Sequence, residues 1–488
     1  MGATIPPPRR SAAQLVEAMS SEEQVELYAK RIPIYPRSVK GRFRRLKWGI
    51  LALAYGVYFL LPWLRWERPV GPDQAVLWDL PGRRFYLFDL IVHPQDIFWL
   101  AWLLAIAAFL LFFVTGIAGR VFCGYFCFQT LWTDVFIAIE KLVQGERPAR
   151  IRLAKQPWNG EKIAKLGGTH LLWLAVAFVT GFSFTMYWGN APELAVAFLT
   201  GQAPFAAYGA TFFLMTTTYV MAGLAREQVC TYMCPYSRFQ AAMFDKDTLI
   251  VSYDETRGEG TAGRAKVGKG LKTREERQAK GVGDCIDCGY CVQVCPAGID
   301  IRNGMQYQCI HCALCIDACD NIMDKMEWPR GLIRYTSEHA LEGKKTRLLK
   351  FKTIGYGLVL AILSGTLVWN VASQAPYDAS VSQIRQPLYV QLSDGRIRNT
   401  YELKANNKTT SELDLVVSVE GLADAELETG RIEVLAVEAE KSARLLLQVI
   451  APRPAGPGPS QRDFQFVLTP VGRDDVAPIA VDARFHTP

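Results

Sequence analysis

The chain has only five histidines in 488 residues, and they show no zinc-like pairing. Histidine-built zinc chemistry is therefore a poor starting point. No glycine-rich phosphate loop, dinucleotide fingerprint or hydrolase triad is visible, which sets aside the common nucleotide-driven and hydrolytic activities. Charged residues are sparse at 21%, low for a soluble protein, and the net charge of +7 is modest. Nothing in that balance calls for a nucleic-acid partner. Residues 377–488 contain no cysteine, so any fold there is held by core packing alone. Nor is there a stray cysteine elsewhere, because all twelve fall into three sets.

What the chain has in quantity is apolar sequence, at 50% of residues. Crossing a bilayer takes about 20 consecutive apolar residues. Five stretches are long enough: 47–64, 97–118, 169–188, 206–225 and 354–372. The first follows more than 40 residues of basic sequence, which argues against a cleaved signal peptide. Trp63, Trp66, Tyr187 and Trp188 sit at span ends, as interfacial aromatics do. Basic residues cluster before the first span (Arg37, Lys40, Arg42, Arg44, Arg45, Lys47) and between the second and third (Arg120, Lys141, Arg147, Arg150, Arg152, Lys155). Loop 189–205 has neither Lys nor Arg, although loop 65–95 has four arginines. The positive-inside rule then places the N-terminus in the cytoplasm and the C-terminus outside.

The expected organisation is a multi-domain membrane protein, an α-helical transmembrane bundle carrying two soluble domains. Residues 1–46 form a cytoplasmic tail, with a short amphipathic helix over 11–31. Residues 47–225 form two membrane hairpins. Residues 226–350 are a cytoplasmic insert whose Gly-rich, charged part, 255–280, reads as a mobile linker. Residues 351–373 are the fifth span. Residues 374–488 hold short β-prone runs broken by Gly, Pro, Asn and Asp, the pattern of a small all-β sandwich.

The cysteines carry the chemistry. Cys285, Cys288, Cys291 and Cys295 make C-x2-C-x2-C-x3-C-P, and Cys309, Cys312, Cys315 and Cys319 repeat the spacing with Asp320 in place of proline. Three thiolates at two-residue gaps wrap three corners of an iron–sulfur cube. In bacterial two-cluster ferredoxins the fourth ligates the other cluster. Cys285, Cys288, Cys291 and Cys319 would then hold one [4Fe–4S] cluster, and Cys309, Cys312, Cys315 and Cys295 a second. Zinc knuckles usually use two separated C-x2-C pairs, and disulfides are disfavoured on a cytoplasmic face.

The remaining four cysteines are Cys123, Cys127, Cys230 and Cys234. They lie in two copies of one element, "GIAGRVFCGYFCFQTLWTDVF" from Gly116 and "GLAREQVCTYMCPYSRFQAAMF" from Gly223. Each places its first cysteine seven positions after the glycine and its second four later, at the ends of spans two and four. Such pairs share one helix face. Together they can form a four-thiol site for soft metals such as Cu(I), pack as small core residues, or pass through a transient disulfide. His170, His93, Met215, Met221 and Met233 are weaker ligand candidates.

The stretches "CGYFCFQTLWTDVF", "REQVCTYMCPYSRFQAAMFDKDTLIVSYDETRGE" and "CIDCGYCVQVCPAGIDIRNGMQYQCIHCALCIDACDNIMDK" closely resemble the signature sequences of the FixG-like cytochrome oxidase accessory proteins. The likeness covers nearly the whole chain. It implies a C-terminal immunoglobulin-like domain, two [4Fe–4S] clusters on the eight cysteines above, and a redox or metal role for the four membrane cysteines. It further implies reduction of Cu(II) to Cu(I) for assembly of a cbb-type haem–copper oxidase in a bacterial inner membrane. The partners would be copper ions, a cytoplasmic electron donor or quinol, and oxidase assembly factors or copper chaperones, with a homodimer as one expected state. An electron relay to a separate reductase and a non-catalytic assembly scaffold are the alternatives. The family usually has proline after both membrane pairs. Here Pro235 keeps it and Phe128 does not, so the helix is expected to run on past Cys127.

Overall fold

The computed structural model describes residues 33–453, 461–473 and 475–488; the amphipathic segment expected over 11–31 lies outside them. Among the described residues six helices are long and apolar enough to cross a membrane, one more than the sequence count. Five correspond to the expected spans: α1 (Arg42–Leu60), α2 (Phe98–Ala118), the long helix Gly160–Thr185, the helix Phe205–Thr218 with its π-helical extension Tyr219–Ala225, and Phe351–Ala372.

The sixth is interrupted. A short helix, α3 (Val121–Tyr125), breaks before α4 (Phe128–Gln144). Both ends of α4 meet the same end of the helical bundle. At its start Gln129 donates to the carbonyls of Met221 and Arg226. Just past its end Ser38 donates to Glu146, and Arg147 to the Tyr35 carbonyl. Its middle lines clefts shared with Pro296, Ile310 and Leu314 of the iron–sulfur segment. Its other face packs Trp132 on Tyr55 and Phe136 on Trp173. Helix α4 runs along the Gly160–Thr185 helix, Trp132 donating to Thr180 at 2.8 Å and Gln144 to Thr169 at 2.8 Å, with its cleft-lining face towards the iron–sulfur segment.

Charge explains why an apolar helix stays there. Asp134 sits 3.1 Å from Arg44 and 3.0 Å from Lys47. Glu140 is clasped by Arg150 and Arg226, whose side chains are 2% and 11% exposed. Buried carboxylates persist only with such partners.

The crossing helices approach closely where side chains are small. A Cβ on Gly181 would lie 2.3 Å from the Thr211 carbonyl oxygen, and Thr185 bonds Thr211 at 2.7 Å. Packing and interhelical hydrogen bonds of this kind join helices that lipid alone would not.

Residues 226–350 cap one end of the bundle. Strands Ile250–Tyr253 and Ile333–Thr336 pair antiparallel beside helix Leu314–Lys325. That helix docks on α1, where Asp317 accepts from the amides of Phe43 and Arg44 at 3.2 and 2.7 Å. The expectation of a mobile linker over 255–280 is corrected. Helices Glu255–Glu259 and Arg274–Ala279 lie within it, and the second starts on a Thr273–Glu276 capping box. Its charges have internal partners. Arg257 and Arg274 meet Asp284, and buried Arg277 donates to the carbonyls of Gly283 and Cys285. Low apolar content was compensated by salt bridges and carbonyl contacts that composition does not reveal.

At the opposite end sits the all-β domain. One sheet joins Glu426–Glu428, Ser442–Ala451, Ile397–Asn407 and Tyr377–Gln383, with Val390–Gln391 at its edge; the other joins Leu435–Val437, Leu413–Glu420, Gln461–Pro470 and Ile479–His486. All pairs are antiparallel, as in a sandwich. Leu403, Leu447, Phe466 and Phe485 are wholly buried between the sheets, and no sulfur enters the core. The domain rests on the end of α2 through Lys408, 3.2 Å from both Asp96 and Asp378.

Candidate functional site

The two cysteine loops share one backbone design. Asp287 and Gly289 in the first have φ of 48° and 64°, and His311 and Ala313 in the second have 51° and 59°. Alternating left-handed residues turn each loop around a centre, so successive cysteines point inward from different directions. Ala313 adopts this conformation at a cost of roughly 1–2 kcal/mol that glycine would not bear.

Cys285, Cys288, Cys291 and Cys319 line one cavity, and Cys295, Cys309, Cys312 and Cys315 line another, with Cys291 in the wall between them. Burial pushes the thiols of Cys291 and Cys309 up to about 12 and that of Cys295 up to about 11. Thiols held neutral by burial ionise when metal binds and replaces their protons. Two cavities, each ringed by four soft donors, fit a pair of cubane clusters. Among the described residues no three His, Cys, Asp or Glu side chains stand close enough to hold a single metal ion.

The membrane cysteines repeat in three dimensions as well as in sequence. Gly119 and Arg226, each three positions after the repeat's first glycine, are both left-handed, at φ of 58° and 47°. The first cysteine of each pair then lies in a short helix, Val121–Tyr125 or the π-helical Val229–Met233. The second is extended and begins the next helix. Its amide reaches back to the residue before the first cysteine, Cys127 to Phe122 O at 3.0 Å and Cys234 to Val229 O at 2.8 Å.

This corrects the expectation drawn from Phe128. The helix breaks at Cys127 without a proline. Phe128 and Pro235 are equivalent first residues of the next helix, where the amide is unbonded in any case and proline is favoured but not required. Thr130 supplies a further tie, donating to the Cys123 carbonyl at 2.6 Å.

The four thiols lie in one region, though no three of them close into a metal-binding set. Cys230 is within electrostatic reach of Cys123, Cys127 and Cys234, and Cys127 of Cys234. Cys123 donates to Gln240 Oε1 at 3.0 Å, and Gln240 is itself anchored on Thr115. The guanidinium of Arg120, 1% exposed, lies beside the thiols and donates to the Tyr307 carbonyl. Its amide donates to His311 Nδ1 at 3.0 Å. Burial and the nearby Arg120 cation lower His311 to about 4, so the ring is neutral and accepts.

The weaker candidates stand elsewhere. His170 bonds Tyr219 at 2.9 Å and packs on Trp173. His93 is buried at the other end, near Asp96. Met215 joins the Phe136–Trp173 cluster, and Met233 is 63% exposed. Sequence reasoning passed over Arg120, Gln240, Tyr125 and His311. Arg120 was legible only as a topology signal, although Gln240 stands within the second copy of the repeat.

Residues 225–338 match a family described as "4Fe-4S dicluster domain", and residues 367–488 one described as "IG-like fold at C-terminal of FixG". The chain is 45% identical over 415 residues to Protein RdxB of Cereibacter sphaeroides, covering 81% of this chain and 85% of that one. It is 41% identical over 474 residues to Protein RdxA of the same organism, covering 94% and 98%. Nitrogen fixation protein FixG of Rhizobium meliloti is 39% identical over 467 residues, covering 88% of each chain.

Proposed function

The chain belongs to the FixG family, and from that premise we propose that it is a membrane-bound iron–sulfur oxidoreductase reducing Cu(II) to Cu(I) at Cys123, Cys127, Cys230 and Cys234. The product would serve assembly of a cbb-type haem–copper oxidase. One observation carries the reading: both membrane cysteine elements are seated on the loop that bears Cys309, Cys312 and Cys315.

Bound by the eight loop cysteines, the clusters supply electrons one at a time. The rest is done by the chain. Thiolates prefer Cu(I), so a site built of them makes the reduced ion the better-bound form. Gln240 fixes the Cys123 side chain, and buried Arg120 offsets the negative charge that several thiolates accumulate. The basic residues Arg37, Lys40, Arg42 and Arg45 flank the iron–sulfur side. We take that side as cytoplasmic and the sandwich as periplasmic, where it would dock assembly factors or copper chaperones.

The test is anaerobic reduction of Cu(II) by the purified protein, with and without serine at all four membrane cysteines. Turnover of the quadruple variant is expected to fall by about 100-fold or more at unchanged iron content, because even outer-shell changes at metal sites cost up to about that much. Undiminished turnover would remove these thiols from the reaction. An inactive wild type that reduces a co-purifying reductase would make the chain a relay.

A further inference from the structure

Two loops carry the cluster cysteines, and among the described residues they meet the membrane cysteine elements unequally: the first quartet's segment reaches Cys123 through apolar Val294, whereas the Cys309–Cys315 loop is hydrogen-bonded to them. Tyr125 donates its hydroxyl to the Cys312 carbonyl at 3.1 Å. Gly124 lies so close that a Cβ there would be 2.7 Å from Ile310 O and 3.0 Å from Cys312 Cα. Cys123 shares one buried cluster with Ile310, Cys312 and Leu314. Arg120 reaches Tyr307 and His311, and Tyr307 reaches Thr231 in the second repeat. The Cys285–Cys291 loop is placed differently. It packs on Tyr253, Ile333 and the Arg277 segment, and Cys288 is exposed.

The two repeats differ at the residues that make this contact. Gly124 and Tyr125 of the first correspond to Thr231 and Tyr232 of the second. Tyr125 is 3% exposed, whereas Tyr232 is 68% exposed. "CGYFC" is thus fitted to the Cys309–Cys315 loop in a way that "CTYMC" is not.

Building on the reading above, we propose that Gly124 and Tyr125 form the electron bridge, making the Cys309–Cys315 loop the exit and the exposed Cys288 side the entrance. One electron drawn from a reduced cytoplasmic donor crosses to the thiols through the Cys312 backbone and the Cys123 helix. It converts one Cu(II) to one Cu(I). No bond in the protein forms or breaks. Gly124 and Tyr125 are positioning residues, since they hold the path and bind no copper themselves.

The experiment uses the full-length, cluster-loaded protein in detergent, reduced with dithionite and freed of excess reductant. Gly124→Val and Tyr125→Phe are compared with wild type. Iron content comes first, and a variant is carried forward at wild-type iron. Cluster reoxidation by Cu(II) and, separately, by ferricyanide is followed in stopped flow. The midpoint potentials are titrated by electron paramagnetic resonance, which needs no copper. Cys288→Ser identifies the signals of the Cys285–Cys291 cluster.

With Gly124→Val, reoxidation by Cu(II) is expected to slow by about tenfold or more, as small displacements at a reacting centre do. Ferricyanide, which can take electrons at the exposed side, should react at the wild-type rate. Only the Cys309–Cys315 cluster should shift in potential. Tyr125→Phe should act in the same direction by a smaller factor. Unchanged Cu(II) rates in both variants, or unmoved potentials, would overturn the bridge. So would a shift confined to the Cys285–Cys291 cluster. Wild-type protein that reacts with ferricyanide but not with Cu(II) would overturn the cupric reading, and the potentials would still decide which cluster the bridge touches.

Discussion

Replacing Cys295 with serine is expected to empty the cavity between Cys309 and Cys315 while the Cys285–Cys291 cavity keeps its cluster. Cys319→Ser should do the reverse. Each variant should fall from about eight irons per chain to about four. The argument is spatial. Cys295 follows Cys291 in sequence but faces Cys309, Cys312 and Cys315, whereas Cys319 faces Cys285, Cys288 and Cys291. A chain-local pairing predicts the opposite cluster lost in each case. Iron analysis with electron paramagnetic resonance separates the two, because the clusters differ in exposure at Cys288. Loss of both clusters in either variant would mean that the cavities cannot be loaded independently.

The second large effect falls on stability. Glu140→Gln is expected to destabilise the protein by about 3–5 kcal/mol, the usual cost of removing one partner from a buried ionic group. Glu140 is the shared counter-ion of Arg150 and Arg226. Without it two buried guanidinium groups face each other with no carboxylate. Arg226 also holds the left-handed turn that starts the second cysteine repeat, donating to the Gly223 carbonyl at 2.8 Å. The damage should therefore spread towards Cys230. The control is Lys141→Ala, which breaks the exposed pair with Glu146, where the side chains are 51% and 46% exposed. Such pairs contribute about 0–1 kcal/mol. Thermal unfolding in detergent, both variants side by side, measures the difference. Similar losses in the two would show that the Glu140 network is not a buried ionic core.

Much of this architecture can be read before any coordinates. The doubled quartets fix their own chemistry, because three cysteines at two-residue gaps suit few other groups. The membrane repeat is equally legible, since Gly116 and Gly223 stand at equal distance from their cysteines. Alternation and turn residues suffice for the sandwich. Other features depend on partners far away in sequence. Segment 128–144 is not among the five spans read from the sequence, and only Arg44, Lys47, Arg150 and Arg226 reveal how its two carboxylates fix it beside the iron–sulfur segment. Segment 255–280 looks too polar to fold, yet Asp284 and the Cys285 carbonyl order its arginines. Phe128 looked like a lost helix break because proline is the familiar cause of one. Here the reach of the Cys127 amide to Phe122 O does the same work. A local pattern records what a residue prefers, and in these places distant charges and carbonyls outweigh the preference.

The sandwich core carries a last consequence. Its interior is closed by Leu, Val, Phe and Tyr, without a disulfide, and no cysteine or methionine occurs anywhere after Met326. Residues 377–488 thus offer copper no sulfur ligand, and no thiol for an oxidised ion to attack. The domain is redox-blind. Its folding is indifferent to whether its compartment is oxidising or reducing, because it has no thiol or thioether to oxidise.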